Sequence, residues 1–233
     1  MTELVNQTVL VTGAGRGMGR EYVAQLLDRG VAKVYAAARN PQAIEVSDPR
    51  VVPLQLDVTD AQSIEQAAAT AHDVSVLINN AGSVEAASVL DAGAASLRRQ
   101  LETNVFGPLA LVRAFADRLA ERHGAVLNVC SVMAWMPLAG GYSVSKAALG
   151  SATDVIRTEL TPRGIQVSAL YMSFVDTDMT AAMGRPKSAP ADIVRAALDG
   201  VETGEAEILA DDVTRAVRTH LHRPIAERLT LPL

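Results

Sequence analysis

Thr8-Val9-Leu10-Val11-Thr12-Gly13-Ala14-Gly15-Arg16-Gly17-Met18-Gly19 decides the fold. A short β-branched run passes directly into glycines, and a helical pattern over Gly17–Asp28 follows at once. Glycines permit a tight turn and let the backbone approach a pyrophosphate, and the start of a helix supplies free N–H groups. A glycine triplet alone is a weak signal, but one between a strand and a helix predicts dinucleotide binding. The expected contacts are Gly13, Gly15, Arg16, Gly17, Met18 and Gly19.

The rest of the chain alternates short apolar runs with helical patterns, as βαβ units of a parallel sheet do. The predicted strands are Thr8–Thr12, Lys33–Ala38, Val51–Gln55, Val74–Asn79, Ala125–Ser131, Gln166–Met172 and Glu207–Ala210. The predicted helices are Gly17–Asp28, Ala61–Thr70, Ala94–Arg122 with a bend near Gly107-Pro108, Tyr142–Leu160, Pro190–Glu202 and Asp212–Leu221. No linker rich in glycine, serine or proline divides the chain, so we predict one α/β domain over residues 1–233.

The composition is that of a compact soluble protein, because 49% of the 233 residues are hydrophobic and 20% are charged. A net charge of −5 argues against a general binder of nucleic acid or anionic membranes, which needs clustered lysine and arginine. The single cysteine, Cys130, excludes an internal disulfide, and its apolar surroundings favour a buried, inert thiol over a reactive one. No signal peptide or membrane-spanning run is evident, so we expect a cytoplasmic protein.

The end of the second predicted strand reads Ala36-Ala37-Ala38-Arg39-Asn40 and has no carboxylate. An acidic residue at this place would bind the 2′-hydroxyl of the adenosine ribose, whereas a basic one suits a 2′-phosphate. Arg39 and Arg16 could clamp such a phosphate by charge-assisted hydrogen bonds. We therefore expect NADP(H) to be favoured over NAD(H), with two solvated surface arginines as the alternative.

Two further segments follow the third and fourth predicted strands. Asp57 could accept a hydrogen bond from an adenine amino group while Val58 packs on the ring; helix capping is the alternative, although Asp60 fits the cap better. Asn79-Asn80-Ala81-Gly82 ends the fourth strand, where small residues would let a ribose come close and one asparagine would tie neighbouring strands. A simple asparagine-rich turn is the other interpretation.

Tyr142-Ser-Val-Ser-Lys146 puts a phenol and an ammonium four residues apart. In a helix this spacing stacks both side chains on one face, one turn apart. The pKa of an unperturbed tyrosine is about 10, and a nearby positive charge favours the phenolate. The pair could therefore act as a general acid/base, with Lys146 lowering the pKa of Tyr142. Chance occurrence on a helix surface is the alternative.

Taken in order, these segments resemble the short-chain dehydrogenase/reductase family. The matching positions are Thr12-Gly13-x-x-x-Gly17-x-Gly19, Asp57, Asn79-Asn80-Ala81-Gly82, Asn104, Ser131, Tyr142-x-x-x-Lys146 and Val175-Asp176-Thr177. The resemblance implies a single Rossmann-type domain, with a doubly wound sheet of about seven parallel strands flanked by helices. It also implies reversible hydride transfer between NAD(P)(H) and a carbonyl/alcohol pair.

The resemblance assigns a role to each position. Tyr142 would transfer the proton, Ser131 would hydrogen-bond the carbonyl oxygen, and Lys146 would hold the nicotinamide ribose as well as lower the tyrosine pKa. Asn104 would hold a water that links Lys146 to solvent. The remaining cofactor contacts are expected at Asp57, Val58, Asn80, Ala81, Gly82, Tyr142, Lys146, the backbone of Val175 and the hydroxyl of Thr177.

Two departures from the family pattern affect the substrate side. Ser131 and Tyr142 are eleven residues apart where about thirteen is usual, so the loop Val132–Gly141 is two residues short. Met172-Ser173 stands where Pro-Gly is customary, and Met172 or Phe174 could therefore enter the site. Ser143 and Ser145 are poor substitutes for Ser131, because they follow the tyrosine on its own helix.

The shortened loop carries four large apolar residues, and the chain has two irregular segments. For Met133, Trp135, Met136 and Leu138 we favour a wall for an apolar substrate, with buried support for the loop as the alternative. Residues 173–189 are a lid-like segment or an ordinary surface loop, and the tail 222–233 is expected to dock on its own domain or on a second subunit. The four histidines lie outside the motif set, and His220-x-His222 lacks a third ligand, so no metal site is predicted.

These observations predict an NADPH-dependent carbonyl reductase or alcohol dehydrogenase acting on a small to medium, partly apolar aldehyde or ketone. An NAD-dependent alcohol dehydrogenase of the same fold is the first alternative, and a non-catalytic dinucleotide sensor is the second. Family members commonly form dimers or tetramers through the helices that carry Asn104 and Tyr142. We therefore expect a homodimer or homotetramer.

Overall fold

The computed structural model describes residues 2–85, 88–91 and 93–230, and within them seven strands form one parallel sheet. The strands are β1 (Thr8–Thr12), β2 (Lys33–Ala38), β3 (Val51–Gln55), β4 (Val76–Asn79), β5 (Ala125–Val129), β6 (Gln166–Tyr171) and β7 (Glu207–Leu209). Their order in the sheet is β3-β2-β1-β4-β5-β6-β7. The predicted α/β fold of Rossmann type, with seven parallel strands flanked by helices, is confirmed.

Eight α-helices flank this sheet in the described part of the chain. They are α1 (Gly17–Asp28), α2 (Ala61–Thr70), α3 (Gly93–Leu101), α4 (Gly107–Glu121), α5 (Gly141–Leu160), α6 (Pro190–Thr203), α7 (Asp212–Thr219) and α8 (Ile225–Arg228). The predicted bounds of β1, β2, β3, α1 and α2 are confirmed, and β4 to β7 are one or two residues shorter than predicted. For β5 the reason is that Ser131 already caps a 3₁₀ turn at Val132–Ala134.

The strands alternate their side chains between two cores, one on each face of the sheet. In β1, Val9 and Val11 join the core beneath α1 and α6, whereas Leu10 joins the core beneath α2, α4 and α5. All three valine and leucine side chains are completely buried. Such burial on both faces explains why the central strand β1 has an unbroken apolar run and shows no polar alternation.

The predicted long helix Ala94–Arg122 is wrong in one respect, because the structure divides it into α3 and α4. A π-helical turn at Glu102–Phe106 separates the two, and it precedes the predicted bend at Gly107-Pro108. Gly107 lies close to the loop that follows β3, because a Cβ on Gly107 would be 2.8 Å from the carbonyl oxygen of Val58. The wider turn places Asn104 at the sheet edge, and π-helical turns of this kind are frequent at functional sites.

The strand order reverses between β1 and β4, because the chain passes from β3 on one side to β4 on the other. Open parallel sheets bind ligands in the crevice at the carboxyl ends of the strands at such a point. The glycine segment after β1 and the segment Asn80–Gly82 after β4 therefore face the same crevice. No helix in the described ranges is long and apolar enough to cross a membrane.

Candidate active site

The glycine loop between β1 and α1 has positions where a larger residue does not fit. Gly13 and Gly17 have φ angles of 67° and 51°, in the left-handed region that favours glycine. A Cβ on Gly19 would lie 2.0 Å from the Gly13 carbonyl oxygen, so the first turn of α1 touches the loop. Arg16, at the N-cap of α1, makes no side-chain capping hydrogen bond. The free N–H groups of this helix start are suited to an anion such as a pyrophosphate.

Thr12 and Asn80 hold this loop against the end of β4. The Thr12 hydroxyl accepts hydrogen bonds from the backbone N–H groups of Asn80, at 3.0 Å, and Ala81, at 2.9 Å. The Asn80 side-chain amide donates to the carbonyl oxygens of Thr12, at 2.8 Å, and Gly13, at 3.4 Å. Asn80 therefore supports the loop backbone from below. Sequence reasoning missed Thr12, whose role depends on a partner 68 residues away.

At the far end of the crevice, the two arginines predicted to bind a 2′-phosphate are both exposed. Arg16 forms only a long ion pair, 3.6 Å from Asp178, with both side chains more than three-quarters exposed. Arg39 is exposed at the end of β2, and its charge helps to lower the pKa of the nearby Asp57 carboxyl. The Thr59 backbone and hydroxyl lower that pKa more, through hydrogen bonds of 2.9 and 2.7 Å to the same carboxylate oxygen.

Two other predicted cofactor contacts are partly or fully enclosed by the protein. Val58 is nearly buried against Gly107. Met18 is half-buried and packs against the core beneath α1. Asp60 rather than Asp57 caps α2, as the sequence suggested, because its carboxylate accepts hydrogen bonds from the N–H groups of Gln62 and Ser63, both at 3.2 Å.

Ser131, Tyr142 and Lys146 come together where β5 ends and α5 begins. Ser131 follows β5, and its hydroxyl accepts a hydrogen bond from the Met133 N–H at 3.1 Å. Lys146 is buried one helical turn after Tyr142, with its Nζ 5.6 Å from the centre of the phenol ring. The ammonium donates a hydrogen bond to the Val129 carbonyl oxygen at 2.7 Å. The structure thus brings three of the four predicted catalytic side chains to one point.

The expected lowering of the Tyr142 pKa is wrong for this cofactor-free structure. Burial raises the pKa of Tyr142 to about 12, although a hydrogen bond with Ser131 opposes the rise. Burial also lowers the pKa of Lys146 to about 8. The physical reason is that removal from water disfavours the charged form of each group. At neutral pH the site therefore holds a neutral phenol, which can donate a proton, beside an ammonium.

Asn104, the fourth predicted catalytic residue, lies on the π-helical turn and is almost completely buried. Its side-chain oxygen accepts a hydrogen bond from the Ser83 N–H at 2.8 Å, and its amide donates to the Ser83 carbonyl oxygen at 2.9 Å. The same amide donates to the Ser145 hydroxyl at 2.9 Å. The side chain is thus engaged with protein partners, and its hold on a water stays a prediction.

A row of buried polar side chains, joined by hydrogen bonds, connects β4, β5 and α5 near these residues. Asn79, at the end of β4, donates to the Asn128 side-chain oxygen at 2.8 Å, which ties β4 to β5 as the sequence suggested for one asparagine. Asn128 in turn donates to the Thr153 hydroxyl on α5 at 3.0 Å. These hydrogen bonds tie β4, β5 and α5 together in the interior of the domain. Neither Asn128 nor Thr153 belonged to any motif visible in the sequence.

The comparisons with known proteins agree with this arrangement. A family model described as short chain dehydrogenase matches residues 7–188. The chain belongs to the short-chain dehydrogenase family. It is 31% identical to an uncharacterized oxidoreductase of Myxococcus xanthus, over 89% of this chain and 88% of that one.

Longer relatives and a solved structure extend the comparison. The chain matches the short-chain dehydrogenase virD of Hypocrea virens at 29% identity, over 73% of this chain but only 62% of that protein. It matches the Mycobacterium tuberculosis protein named "Probable oxidoreductase EphD" at 34% identity, over 76% of this chain and 32% of that one. A crystal structure of a short chain dehydrogenase from Burkholderia cenocepacia in complex with NADP has a TM-score of 0.93 and 33% identity, covering 99% of this chain and 100% of that one.

In this short-chain dehydrogenase the shortened loop Val132–Gly141 is held by local hydrogen bonds. The Ser143 hydroxyl donates to the Met136 carbonyl oxygen and accepts from the Ala139 N–H, both at 3.0 Å. From outside, the Arg228 guanidinium of α8 donates to the Trp135 carbonyl oxygen at 3.1 Å. The described part of the tail therefore docks on its own chain, which was one of the two predicted possibilities; residues 231–233 lie outside the described residues.

The preferred interpretation of the apolar loop residues as a substrate wall is wrong for three of the four. Met136 is completely buried and Met133 nearly so, which is the role of internal support. Trp135 stacks on Tyr171 of β6, with ring centres 4.2 Å apart, and Arg218 covers its other face at 5.7 Å. Only Leu138 is exposed.

Met172 and Ser173, the unusual pair after β6, contact different parts of the protein. Met172 is buried in the core beneath α1, so the prediction that it enters the site is wrong, and its carbonyl oxygen accepts the Val132 N–H at 2.8 Å. The Ser173 N–H donates to Asp211 at 2.7 Å. Phe174 instead packs in the same apolar cluster as Tyr142. Phe174 is therefore the residue of this segment that reaches the catalytic side chains.

The lid-like segment 173–189 has some regular structure. Val175 pairs with Ser188 in an isolated parallel bridge, and a 3₁₀ turn covers Asp178–Thr180. Val175 is buried, and its carbonyl oxygen accepts hydrogen bonds from the hydroxyls of Thr177, at 3.5 Å, and Thr180. The Thr177 methyl would lie 3.3 Å from a Cβ on Gly17, so this segment contacts the glycine loop.

A cavity of about 440 Å³ opens between the lid-like segment and α7. Its lining residues are Ser173, Phe174, Pro186, Lys187, Ser188, Asp211, Asp212, Val213 and Ala216. Phe174 and Val213 also belong to the apolar cluster around Tyr142. Phe174 and Val213 therefore belong both to the cavity wall and to the set of residues packed, with Tyr142, against one buried cluster.

The remaining sequence hypotheses concern groups away from the site. Cys130 is buried, and burial raises the pKa of its thiol to about 11, which agrees with an inert side chain. Among the described residues no group of three or more histidine, cysteine, aspartate or glutamate side chains is placed to hold a metal ion.

Proposed function

We propose that this short-chain dehydrogenase is an NADPH-dependent carbonyl reductase that acts on a small to medium, partly apolar aldehyde or ketone. The observation that carries the proposal is the convergence of Ser131, Tyr142 and buried Lys146 beside the glycine loop. Bound NADPH supplies the hydride in this chemistry. The chain's own residues supply the proton and orient the carbonyl group.

The cofactor residues fit a phosphorylated dinucleotide. The start of α1 has no side-chain cap, and the backbone at Gly13 and Gly17 is not covered by a side chain. Both features suit the pyrophosphate. Arg16 and Arg39 are exposed with little internal pairing, so both are free to turn toward a 2′-phosphate. The Burkholderia cenocepacia relative was solved in complex with NADP, which supports the same preference here. NAD(H) is the alternative cofactor.

The protonation state of the site favours the direction of reduction. Because burial raises the pKa of Tyr142 to about 12, the phenol keeps its proton at neutral pH and can donate it to a carbonyl oxygen. Ser131 hydrogen-bonds the same oxygen and stabilises the charge that develops there. The ammonium of Lys146, 5.6 Å from the centre of the phenol ring, would stabilise the phenolate that remains and bind the ribose hydroxyls of the cofactor.

The substrate class follows from the cavity behind Phe174. Its volume of about 440 Å³ and its apolar wall of Phe174, Pro186, Val213 and Ala216 support an apolar group, and Lys187, Asp211 and Asp212 make the other part of the lining polar, which suits a partly apolar substrate. A carbonyl carbon at Tyr142 would leave such a group to extend past Phe174. A small to medium ketone with one apolar substituent matches this shape.

The assembly proposed for this enzyme is a homo-oligomer formed through α4 and α5. Val144 and Val155 are 43% and 53% exposed, and a spacing of eleven residues puts both on one face of α5. Phe106, at the start of α4, is 52% exposed. Light scattering after size exclusion tests this proposal, with Val155→Glu expected to yield monomers.

The single, buried cysteine is also compatible with a cytoplasmic location.

The direct test of the proposed reaction is a panel of aldehydes and ketones assayed with NADPH and with NADH while cofactor fluorescence is followed. The proposal predicts turnover of apolar ketones with NADPH and slower turnover with NADH. A strong preference for NADH would contradict the role of the two arginines. Tight NADPH binding without turnover of any carbonyl compound would favour the alternative of a non-catalytic sensor.

A further inference from the structure

Ser145 joins two elements of the site that are far apart in the sequence. It is completely buried on α5, between Tyr142 and Lys146. Its hydroxyl donates to the Tyr142 carbonyl oxygen at 2.8 Å and accepts from the Asn104 side-chain amide at 2.9 Å. One oxygen atom thus links the first turns of α5 to the π-helical turn.

The connection continues to the end of β4 through Asn104. Its amide group is bound on both sides to the backbone of Ser83, at 2.8 and 2.9 Å. The neighbouring Gly82 is close to Lys146, because a Cβ on it would lie 3.8 Å from Nζ and 3.4 Å from the Asn104 side-chain oxygen. Ser145, Asn104 and Ser83 therefore form a continuous set of hydrogen bonds, which ends beside Gly82, a neighbour of the Lys146 ammonium.

The same hydrogen bonds also hold the π-helical turn at Glu102–Phe106 in place. A π turn is a rare interruption of an α-helix that is frequent at functional sites. The side-chain contacts that hold Asn104 in the turn are Ser83 on one side and the Ser145 hydroxyl on the other. Of these three residues, only Ser145 lies on the helix that carries the phenol and the ammonium.

We propose that Ser145 is a positioning residue, which sets the distance and orientation of Tyr142 and Lys146 by locking their helical turn to Asn104. This inference rests on the proposed reductase function. Loss of the hydroxyl would leave one buried N–H of Asn104 without a partner and remove the side-chain hydrogen bond to the Tyr142 carbonyl oxygen. The first turn of α5 would then move relative to the π turn, and the phenol would lose part of its stabilisation by the ammonium.

The chain offers a matched control in Thr153, two turns further along α5. Thr153 is also completely buried, donates to a helix carbonyl oxygen, Leu149, at 2.7 Å and accepts from a buried asparagine amide, Asn128, at 3.0 Å. Thr153→Val and Ser145→Ala therefore remove the same kind of hydroxyl from the same helix. Only Ser145 contacts the turn that carries Tyr142.

The experiment compares Ser145→Ala, Thr153→Val and Ser145→Cys with the wild-type protein. Ser145→Cys keeps most of the side chain's volume while weakening its hydrogen bonds, and circular dichroism verifies the folding of each variant. The first readout is kcat and the KM for NADPH. The second is the pH at which Tyr142 ionises in the NADP⁺ complex, followed by absorbance near 295 nm against Tyr142→Phe. The titratable groups that face Tyr142 in the described structure are Lys146 and Cys130.

The expected result is a fall in kcat of about tenfold or more for Ser145→Ala, with a change of less than about threefold in the KM for NADPH. The midpoint for Tyr142 should rise by at least about half a pH unit, with Ser145→Cys between Ser145→Ala and wild type, whereas Thr153→Val should leave the midpoint in place. The inference is overturned if both variants change kcat equally and neither moves the midpoint. If the wild type reduces no carbonyl compound, the proposed function fails, and the absorbance titration still decides the role of Ser145.

Discussion

Replacing Lys146 with methionine is expected to stabilise the cofactor-free protein at neutral pH. Burial lowers the pKa of this ammonium from its ordinary value of 10.5 to about 8. At about 1.4 kcal/mol per pKa unit, the difference corresponds to about 3 kcal/mol of destabilisation by the buried charge. Methionine removes that charge but leaves the Val129 carbonyl oxygen without its 2.7 Å donor, at a cost of about 1–2 kcal/mol. The net gain in the free energy of unfolding is therefore about 1–2 kcal/mol.

The gain should depend on pH in a defined direction. Below pH 8, Lys146 is protonated in the folded and the unfolded state, so the cost of burying the charge is fully present. Between pH 8 and 10.5 the folded protein loses the proton first, and the unfolded chain then binds more protons than the folded one. The stability of the wild-type protein therefore rises with pH across this window relative to the variant. The advantage of Lys146→Met should shrink steadily above pH 8, vanish at about pH 9 and become a disadvantage of about 1–2 kcal/mol by pH 10.5.

Urea unfolding of both cofactor-free proteins at several pH values between 7 and about 10 measures the difference directly. Lys33→Met serves as the control with the opposite sign, because the hydrogen bond to Asp73, at 2.7 Å, raises the pKa of Lys33. That variant should be less stable than wild type at pH 7. The reasoning is refuted if Lys146→Met is destabilised at pH 7, or if its gain does not change with pH.

Three further predictions concern binding and specificity. Arg39→Asp should raise the KM for NADPH about tenfold or more while the KM for NADH changes little, because a carboxylate repels a 2′-phosphate; equal losses with both cofactors in steady-state kinetics would point to misfolding instead. Phe174→Ala should raise kcat/KM for bulky ketones relative to small ones, since Phe174 forms the wall between Tyr142 and the cavity; an unchanged ratio across a ketone series would place the substrate elsewhere. Gly19→Ala should abolish NADPH binding in a fluorescence titration, because its Cβ would meet the Gly13 carbonyl oxygen at 2.0 Å, and retained affinity would contradict the loop geometry.

The parts of the fold that the sequence predicted well are those with local signals. The β-branched run of β1 followed by glycines defines a strand, a turn and a helix within twenty residues, and the bounds of β1 and α1 are confirmed. Apolar periodicity likewise located the seven strands, because each strand is buried on both faces. Tyr142 and Lys146 share a helix, so their spacing alone placed them together.

The parts that the sequence could not predict depend on distant partners and on burial. Ser145 and Asn104 are 41 residues apart, and Asn79 and Asn128 are 49 apart, with no local pattern that joins them. The expected effect of Lys146 on Tyr142 failed for a different reason. A sequence shows the spacing of two charges but not their removal from water, and in the cofactor-free protein the burial of both groups outweighs their attraction.

Loops were the other source of error. For Trp135, Met133 and Met136 we favoured a substrate wall over internal support, although an apolar residue suits both. The structure resolves this through contacts outside the loop, namely the stacking of Trp135 on Tyr171 and the hydrogen bond from Arg228. Both partners come from segments far along the chain.

The measurement that tests the central claim most directly is the turnover of Tyr142→Phe with NADPH and a ketone that the wild type reduces. Phenylalanine keeps the ring and its packing against the buried cluster of Val132, Met133, Met136 and Val217 but cannot donate a proton. The account predicts that kcat falls by about a hundredfold or more while the dissociation constant for NADPH, measured by fluorescence titration, stays within about threefold of wild type. Turnover near the wild-type rate would contradict the assignment of Tyr142 as the proton donor.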